Sequence, residues 1–136
     1  GKRVYIARRG RRRIANEGEL ADLLRRFGFT TVAMEGLSLD AQIASVAGAE
    51  AVVAPHGAAL SHLVHASDGA TLVECMPPSY CNASFFVLAG ACGLRYTALA
   101  GEGGVERGAA NTAATSSMDF VVDATKLEQT LAAALA

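Results

Sequence analysis

The chain has 136 residues, 51% of them hydrophobic and 18% charged, with a net charge of −1. That is the size of one globular domain with a core of its own, and the composition excludes wholesale disorder. No apolar run approaches the ~18 residues that cross a bilayer, and the near-neutral balance argues against nucleic acid as a partner, which needs a wide positive face.

Lys2 to Ala7 alternates around Val4 and Ile6 and reads as a first strand. It follows directly on Gly1, with no initiator Met, so the chain is expected to be a domain of a longer protein whose leader, anchor or partner lobe lies outside it. Seven of the twelve Lys and Arg residues fall in the first thirteen positions: Lys2, Arg3, Arg8, Arg9, Arg11, Arg12 and Arg13. A local cluster on a neutral domain suits a small anion, and a solvated charge run is the alternative for any one Arg. Arg12 is read as solvated.

Glu17 to Phe27 places Leu20, Leu23, Leu24 and Phe27 on one helical stripe, with Asn16 as N-cap, Glu19 three residues on, and Gly28 as the stop. Thr30 to Met34 is a second strand, and Ser38 caps a helix carrying Leu39, Ile43 and Val46. Ala51 to Ala54 is a buried strand stopped by Pro55. His56-Gly57 then turns into a third helix with Leu60, Leu63 and Val64 inward. Ala70 to Cys75 is a fourth strand. Pro77 and Pro78 precede a helix with Phe85, Leu88, Ala89 and Cys92, closed by Gly93, and Arg95 to Leu99 is a fifth strand. Ala100 to Ser117 has no period and reads as a long loop. Phe120 to Val122 is a short strand, and Thr125 to Ala136 a last helix with Leu127, Leu131 and Leu135 at four-residue spacing.

Strand–helix alternation predicts an α/β fold, a doubly wound, mostly parallel Rossmann-like sheet with right-handed crossovers. Ligands of such sheets bind at the carboxyl ends of the strands. Here those ends are the basic turn after Ala7, the Gly36-Leu37-Ser38 loop, Pro55 to Ala59, and Glu74 to Pro78. The three cysteines match no zinc motif. Cys75 and Cys81 flank a Pro-Pro turn and could pair in an oxidising compartment, and the sequon Asn82-Ala83-Ser84 points to the same secretory route. His62 and His65, three apart on one helix, lack a third ligand at useful spacing for a metal.

The segment Ala54-Pro55-His56-Gly57-Ala58-Ala59-Leu60 carries the chemistry. A buried strand stops at Pro, and small residues open a helix whose free N–H groups and dipole suit an anion. Gly57, Ala58 and Ala59 let a phosphate approach the backbone, and His56 is placed to donate to that phosphate or to the bond being broken; a satisfied histidine in a tight turn is the alternative. Arginine forks fit diphosphate oxygens, and one or two of the basic run could cradle a nucleotide. By themselves Asn16 and Glu17 suit a cap and a first turn.

Taken in order, Tyr5-Ile6-Ala7-Arg8, the basic stretch to Arg13, Asn16-Glu17, Gly28-Phe29, Gln42, Pro55-His56-Gly57-Ala58 and Val73-Glu74 resemble the glycosyltransferase family 61 pattern. The likeness runs from about Val4 to Tyr96, with Ala7 where the family usually has Ser. It implies one half of a two-lobed GT-B enzyme, this lobe holding a nucleotide sugar of the UDP type and a lobe outside the chain holding a glycan or protein acceptor. It implies inversion at the anomeric carbon, no cofactor and no metal, with Arg8, Arg13 and the helix start at Ala58 neutralising the departing diphosphate. Asn16, Glu17 and Gln42 are then expected around the nucleotide, and Glu74 on the ribose hydroxyls. The domain alone is expected not to turn over donor. The full enzyme would be membrane-anchored in the Golgi or endoplasmic reticulum lumen if eukaryotic, and cytoplasmic if bacterial. Two alternatives stay open: a non-catalytic nucleotide- or phosphate-binding module of the same fold, and a phosphoryl-transfer or hydrolase domain using His56.

Overall fold

In the computed structural model, which describes residues 1–78, 80–103 and 117–136, five strands alternate with helices. They are β1 (Lys2–Ala7), β2 (Phe29–Ala33), β3 (Ala49–Pro55), β4 (Thr71–Met76) and β5 (Arg95–Ala100). Between and after them lie α1 (Glu17–Arg26), α2 (Leu39–Val46), a 3-10 helix (Ala58–His65), α3 (Ser84–Ala91) and α4 (Ala124–Ala134). The strands form one sheet in the order β2-β1-β3-β4-β5, every pair parallel. The chain leaves β1 toward β2, then returns to the far side of β1 for β3. The strand order therefore reverses between β1 and β3, which opens a crevice at their carboxyl ends.

Both faces of the sheet are covered, which is why β3 reads as a continuous apolar run rather than an alternating one. On one face Tyr5, Ala7, Val53 and Cys75 pack with Leu20, Leu23 and Leu24 of α1 and Leu127 and Leu131 of α4. On the other, Val4, Ile6, Val52 and Leu72 pack with Val46 of α2, Leu60 and Leu63 of the 3-10 helix, and Phe85 of α3. The doubly wound parallel sheet expected from the sequence is what forms. Among the described residues no helix is long and apolar enough to cross a membrane.

Four local expectations are corrected. Asn16 occupies the N-cap position of α1, but its side chain makes no cap bond. It bridges instead to the backbone of Val122, Nδ2 donating to the carbonyl at 2.7 Å and Oδ1 accepting from the N–H at 3.0 Å. Phe120 to Val122 is no regular strand; it makes isolated bridges, Phe120 with Ile14 and Val121 with Glu102. The third helix is 3-10, so a three-residue repeat puts Leu60 and Leu63 on one face and turns Val64 outward, 53% exposed. Cys75 is fully buried and a free thiol, so the disulfide with Cys81 does not form; burial, with the charge of Glu74 adding, pushes the thiol up to about 12. Most of the expected 100–117 loop lies outside the described residues.

Candidate functional site: the switch-point edge of the sheet

Strand β3 ends at Pro55, and the chain turns through His56 and Gly57 into the 3-10 helix. Gly57 has φ 171° and ψ 164°, an extended backbone open to any residue, so conformation is not what calls for glycine there. Space is. A Cβ at Gly57 would overlap Nη1 of Arg8 and stand 3.0 Å from its Cζ. The Arg8 guanidinium lies against the bare Cα, donating through Nη1 to the His56 carbonyl at 3.3 Å and through Nε to the Arg11 carbonyl at 2.9 Å.

A second guanidinium reaches the same oxygen: Arg12 Nη1 donates to the His56 carbonyl at 3.1 Å. Arg12 is not the solvated residue expected from its place in the basic run. It is 8% exposed, its backbone is left-handed with φ 55°, and its Cζ lies 4.9 Å from the Tyr80 ring centroid. Burial lowers the guanidinium pKa of both arginines, and for Arg12 the neighbouring charge of Arg8 adds to the effect. One backbone carbonyl thus anchors two cations at the end of β3. Beside them the first helical bond runs from Leu60 N–H to the Gly57 carbonyl. The N–H groups of Ala58 and Ala59 lie ahead of that ladder.

The His56 ring is held from behind. Nδ1 is 2.6 Å from Glu74 Oε1, and Tyr96 donates its hydroxyl to Glu74 Oε2 at 2.5 Å. The β4–β5 register pairs Glu74 with Ala98, so Tyr96, two residues back, shares its face. Burial, then the bond to Glu74, raise the phenol pKa of Tyr96. Glu74 is 0% exposed with both oxygens engaged, which closes it to the ribose hydroxyls expected there. The His56 side chain is 7% exposed and packs against Tyr80 and Phe85, with ring centroids 5.4 and 5.2 Å away. With Nδ1–H assigned toward the carboxyl group, Nε2 is the remaining ring nitrogen.

Two clefts flank Arg8. The one at the strand reversal, about 400 Å³, is lined by Ala7, Arg8, Met34, Glu35, Gln42, Ala58, Ala59 and His62. The other, about 440 Å³, lies over the opposite face; Tyr5, Arg8, Arg9, Arg13, Ile14 and Glu17 are among its walls. The expected site residues therefore divide. Arg8, Gln42, Ala58 and Ala59 line the first cleft, with Gly57 beneath Arg8, while Arg13 and Glu17 line the second. Asn16, His56 and Glu74 line neither.

Several of these side chains are already engaged. Arg13 grips Asp119 through Nη2 at 2.9 Å and Nε at 3.2 Å, and Glu17 takes the Tyr5 hydroxyl at 3.3 Å and Arg9 Nη1 at 3.2 Å. Gln42 donates through Nε2 to the Met34 and Leu37 carbonyls, leaving Oε1 2.9 Å from His62 Nε2. That contact gives His62 an organic partner; among the described residues no three His, Cys, Asp or Glu side chains gather as a metal site.

Sequence reasoning missed Glu35 and Tyr96, misread Arg12 as solvated, and weighed His62 only as a metal ligand. Glu35 carried a usable signal, since it stands just past the end of a predicted strand, where ligands of such sheets bind. Arg12 and Tyr96 carried none, because a left-handed backbone and a cross-strand diagonal are set by tertiary structure.

No curated protein matches the chain. The family model described as Glycosyltransferase 61 matches residues 1–73, 73 of the 136 residues. That span covers β1, the basic turn, the Gln42 helix and the whole Pro55-to-Ala59 turn, where the two guanidiniums meet. The chain belongs to the glycosyltransferase 61 family.

Proposed function

We propose that this domain holds the nucleotide-sugar donor of an inverting glycosyltransferase, with the diphosphate in the switch-point cleft between Arg8 and the start of the 3-10 helix. The observation that carries the proposal is the shared carbonyl: Arg8 and Arg12 both donate to His56 O, next to the Ala58 and Ala59 N–H groups. Arg8 borders the cleft, so a small swing of its guanidinium exchanges a neutral carbonyl for a phosphate oxygen. Charge-assisted bonds of that kind are worth roughly 1.5–3 kcal/mol.

As the sugar–phosphate bond breaks, negative charge grows on the departing diphosphate. Arg8 and the helix-start N–H groups stabilise that charge, the role a divalent cation fills elsewhere. The acceptor is a glycan or protein hydroxyl presented from outside the two clefts. The donor is of the UDP type, in line with the family likeness. His56 acts here as a positioning residue: a group that exchanges protons with substrate must reach it, and the His56 ring lines neither cleft.

Calorimetric titration of the protein with UDP, with and without EDTA, tests the reading. Binding is expected to persist in EDTA and to weaken about tenfold or more in Arg8→Ala. A strict requirement for a divalent cation, or equal affinity for wild type and Arg8→Ala, would overturn it.

A further inference from the structure

We infer that Glu35 recognises the ribose hydroxyls of the donor in the switch-point cleft; the inference rests on the donor-binding reading above. Glu35 stands two residues past the end of β2, on the β1 side of the crevice, and lines the same cleft as Arg8, Ala58 and Ala59. Neighbouring strands lie ~4.8 Å apart. The end of β2 is therefore about two strand spacings from the end of β3, where Gly57 and the helix start lie. A nucleoside diphosphate laid across that edge, its phosphates at the helix start, brings its ribose diol toward β2.

The chemistry of the carboxylate fits. The backbone N–H of Arg9 donates to Oε1 at 2.8 Å, which sets the direction of the group. A carboxylate offers about four lone-pair positions, so this bond leaves acceptor capacity facing the cleft. Burial by itself would raise the Glu35 pKa, but hydrogen bonds from the backbone N–H groups of Arg9 and of Glu35, with the charges of Arg8 and Arg9, outweigh it and lower the value. The group is thus an ionised, oriented acceptor, suited to two neighbouring hydroxyl donors. Other acidic side chains are badly placed for this. Glu74 is sealed under His56 and Tyr96, and Glu17 faces the opposite cleft, already bonded to Tyr5 and Arg9.

Removing the hydroxyls and removing the carboxylate should have the same effect, and each should cancel the other. The probes are UDP and 2′,3′-dideoxy-UDP, titrated by calorimetry into the wild-type protein, Glu35→Gln and Glu35→Ala. Wild type is expected to bind UDP roughly ten- to a hundredfold more tightly than the dideoxy form. Both variants should lose that ratio by weakening UDP alone, with dideoxy-UDP unchanged. Equal affinities in wild type, or variants that weaken both ligands alike, overturn the role of Glu35 while leaving the diphosphate site standing. If wild type binds neither ligand, the donor-binding reading falls and this inference falls with it. The ligand-side comparison in wild type needs no variant to fold.

Discussion

Replacing Gly57 by Ala adds one methyl group at the point where the Arg8 guanidinium rests on the backbone. The new Cβ would overlap Nη1 and stand 3.0 Å from Cζ and 3.6 Å from Cδ, so Arg8 has to leave. Its bond to the His56 carbonyl, 3.3 Å long, goes with it. The backbone itself does not object, because φ 171° is ordinary extended chain, and an Ala there narrows the unfolded ensemble by about 0.4–1 kcal/mol in favour of folding. That gain offsets much of the lost bond. Folding stability should therefore stay within about 1 kcal/mol of wild type, a few degrees at most for a chain this size. Affinity for UDP should fall roughly ten- to a hundredfold, since a charge-assisted bond of 1.5–3 kcal/mol is misaligned. The discriminating measurement is a double-mutant cycle by calorimetry, with melting curves alongside. If Gly57 acts only by making room for Arg8, Gly57→Ala/Arg8→Ala should bind no worse than Arg8→Ala alone. Fully additive losses, or wild-type affinity in Gly57→Ala, would refute the reasoning.

Arg12→Ala removes a buried charge-assisted bond and a cation–π contact, so it should destabilise the fold by about 2–4 kcal/mol in a denaturant melt; Arg12→Gly should be milder because it relieves a left-handed backbone, and a wild-type melt for Arg12→Ala would count against the assignment. Tyr96→Phe keeps the ring but takes the donor from a fully buried Glu74 oxygen, and should cost about 1–3 kcal/mol in the same assay. Asn16→Ala should cost about 1–2 kcal/mol through the two lost Val122 bonds, yet leave UDP affinity unchanged; a large affinity loss with no stability loss would put Asn16 back beside the nucleotide. Because burial holds the Cys75 thiol at about 12, iodoacetamide at pH 8 should label exposed Cys81 in the folded protein and reach Cys75 only after denaturation, as read by peptide mass spectrometry.

Sequence periodicity located what depends on local pattern. The α1 stripe of Leu20, Leu23 and Leu24 is buried as expected, and Ser38 caps α2 by accepting from Ala41 N–H. Strand β3 runs longer than its apolar core suggested, because Gly48 turns with φ 68° and lets Ala49 and Glu50 join the strand. The third helix was misjudged in period: repeats of 3.0 and 3.6 residues per turn both put Leu60 and Leu63 on one face, and only Val64, four residues from Leu60 and exposed, separates them. At the site, position along a strand was legible but the direction of a side chain was not. Glu74 does sit near a strand end, yet its carboxylate turns to His56 and Tyr96 and lines neither cleft. The five arginines of the basic turn are alike on paper. Arg12 differs only because its backbone turns left-handed and carries the side chain inward beneath Tyr80.

The choice of a carbonyl as the resting partner of Arg8 bears on how such a site would work. A partly buried carboxylate would hold the guanidinium more tightly, and breaking that pair to admit a ligand would cost several kcal/mol. A neutral carbonyl holds the cation at the cleft mouth and gives it up to a phosphate at a net gain. The difficulty is the oxygen left behind, since an abandoned buried carbonyl is itself costly. Arg12 answers it. Its Nη1, 3.1 Å from the same oxygen and buried away from both clefts, can remain when Arg8 moves. The turn does not follow Arg8 outward either, because the His56 ring is fixed by Glu74 and Tyr96 and its N–H by the Cys75 carbonyl at 3.1 Å. On this reading His56, Glu74, Tyr96 and Arg12 form a fixed frame that touches no substrate, and Arg8, resting against it, is the part that moves.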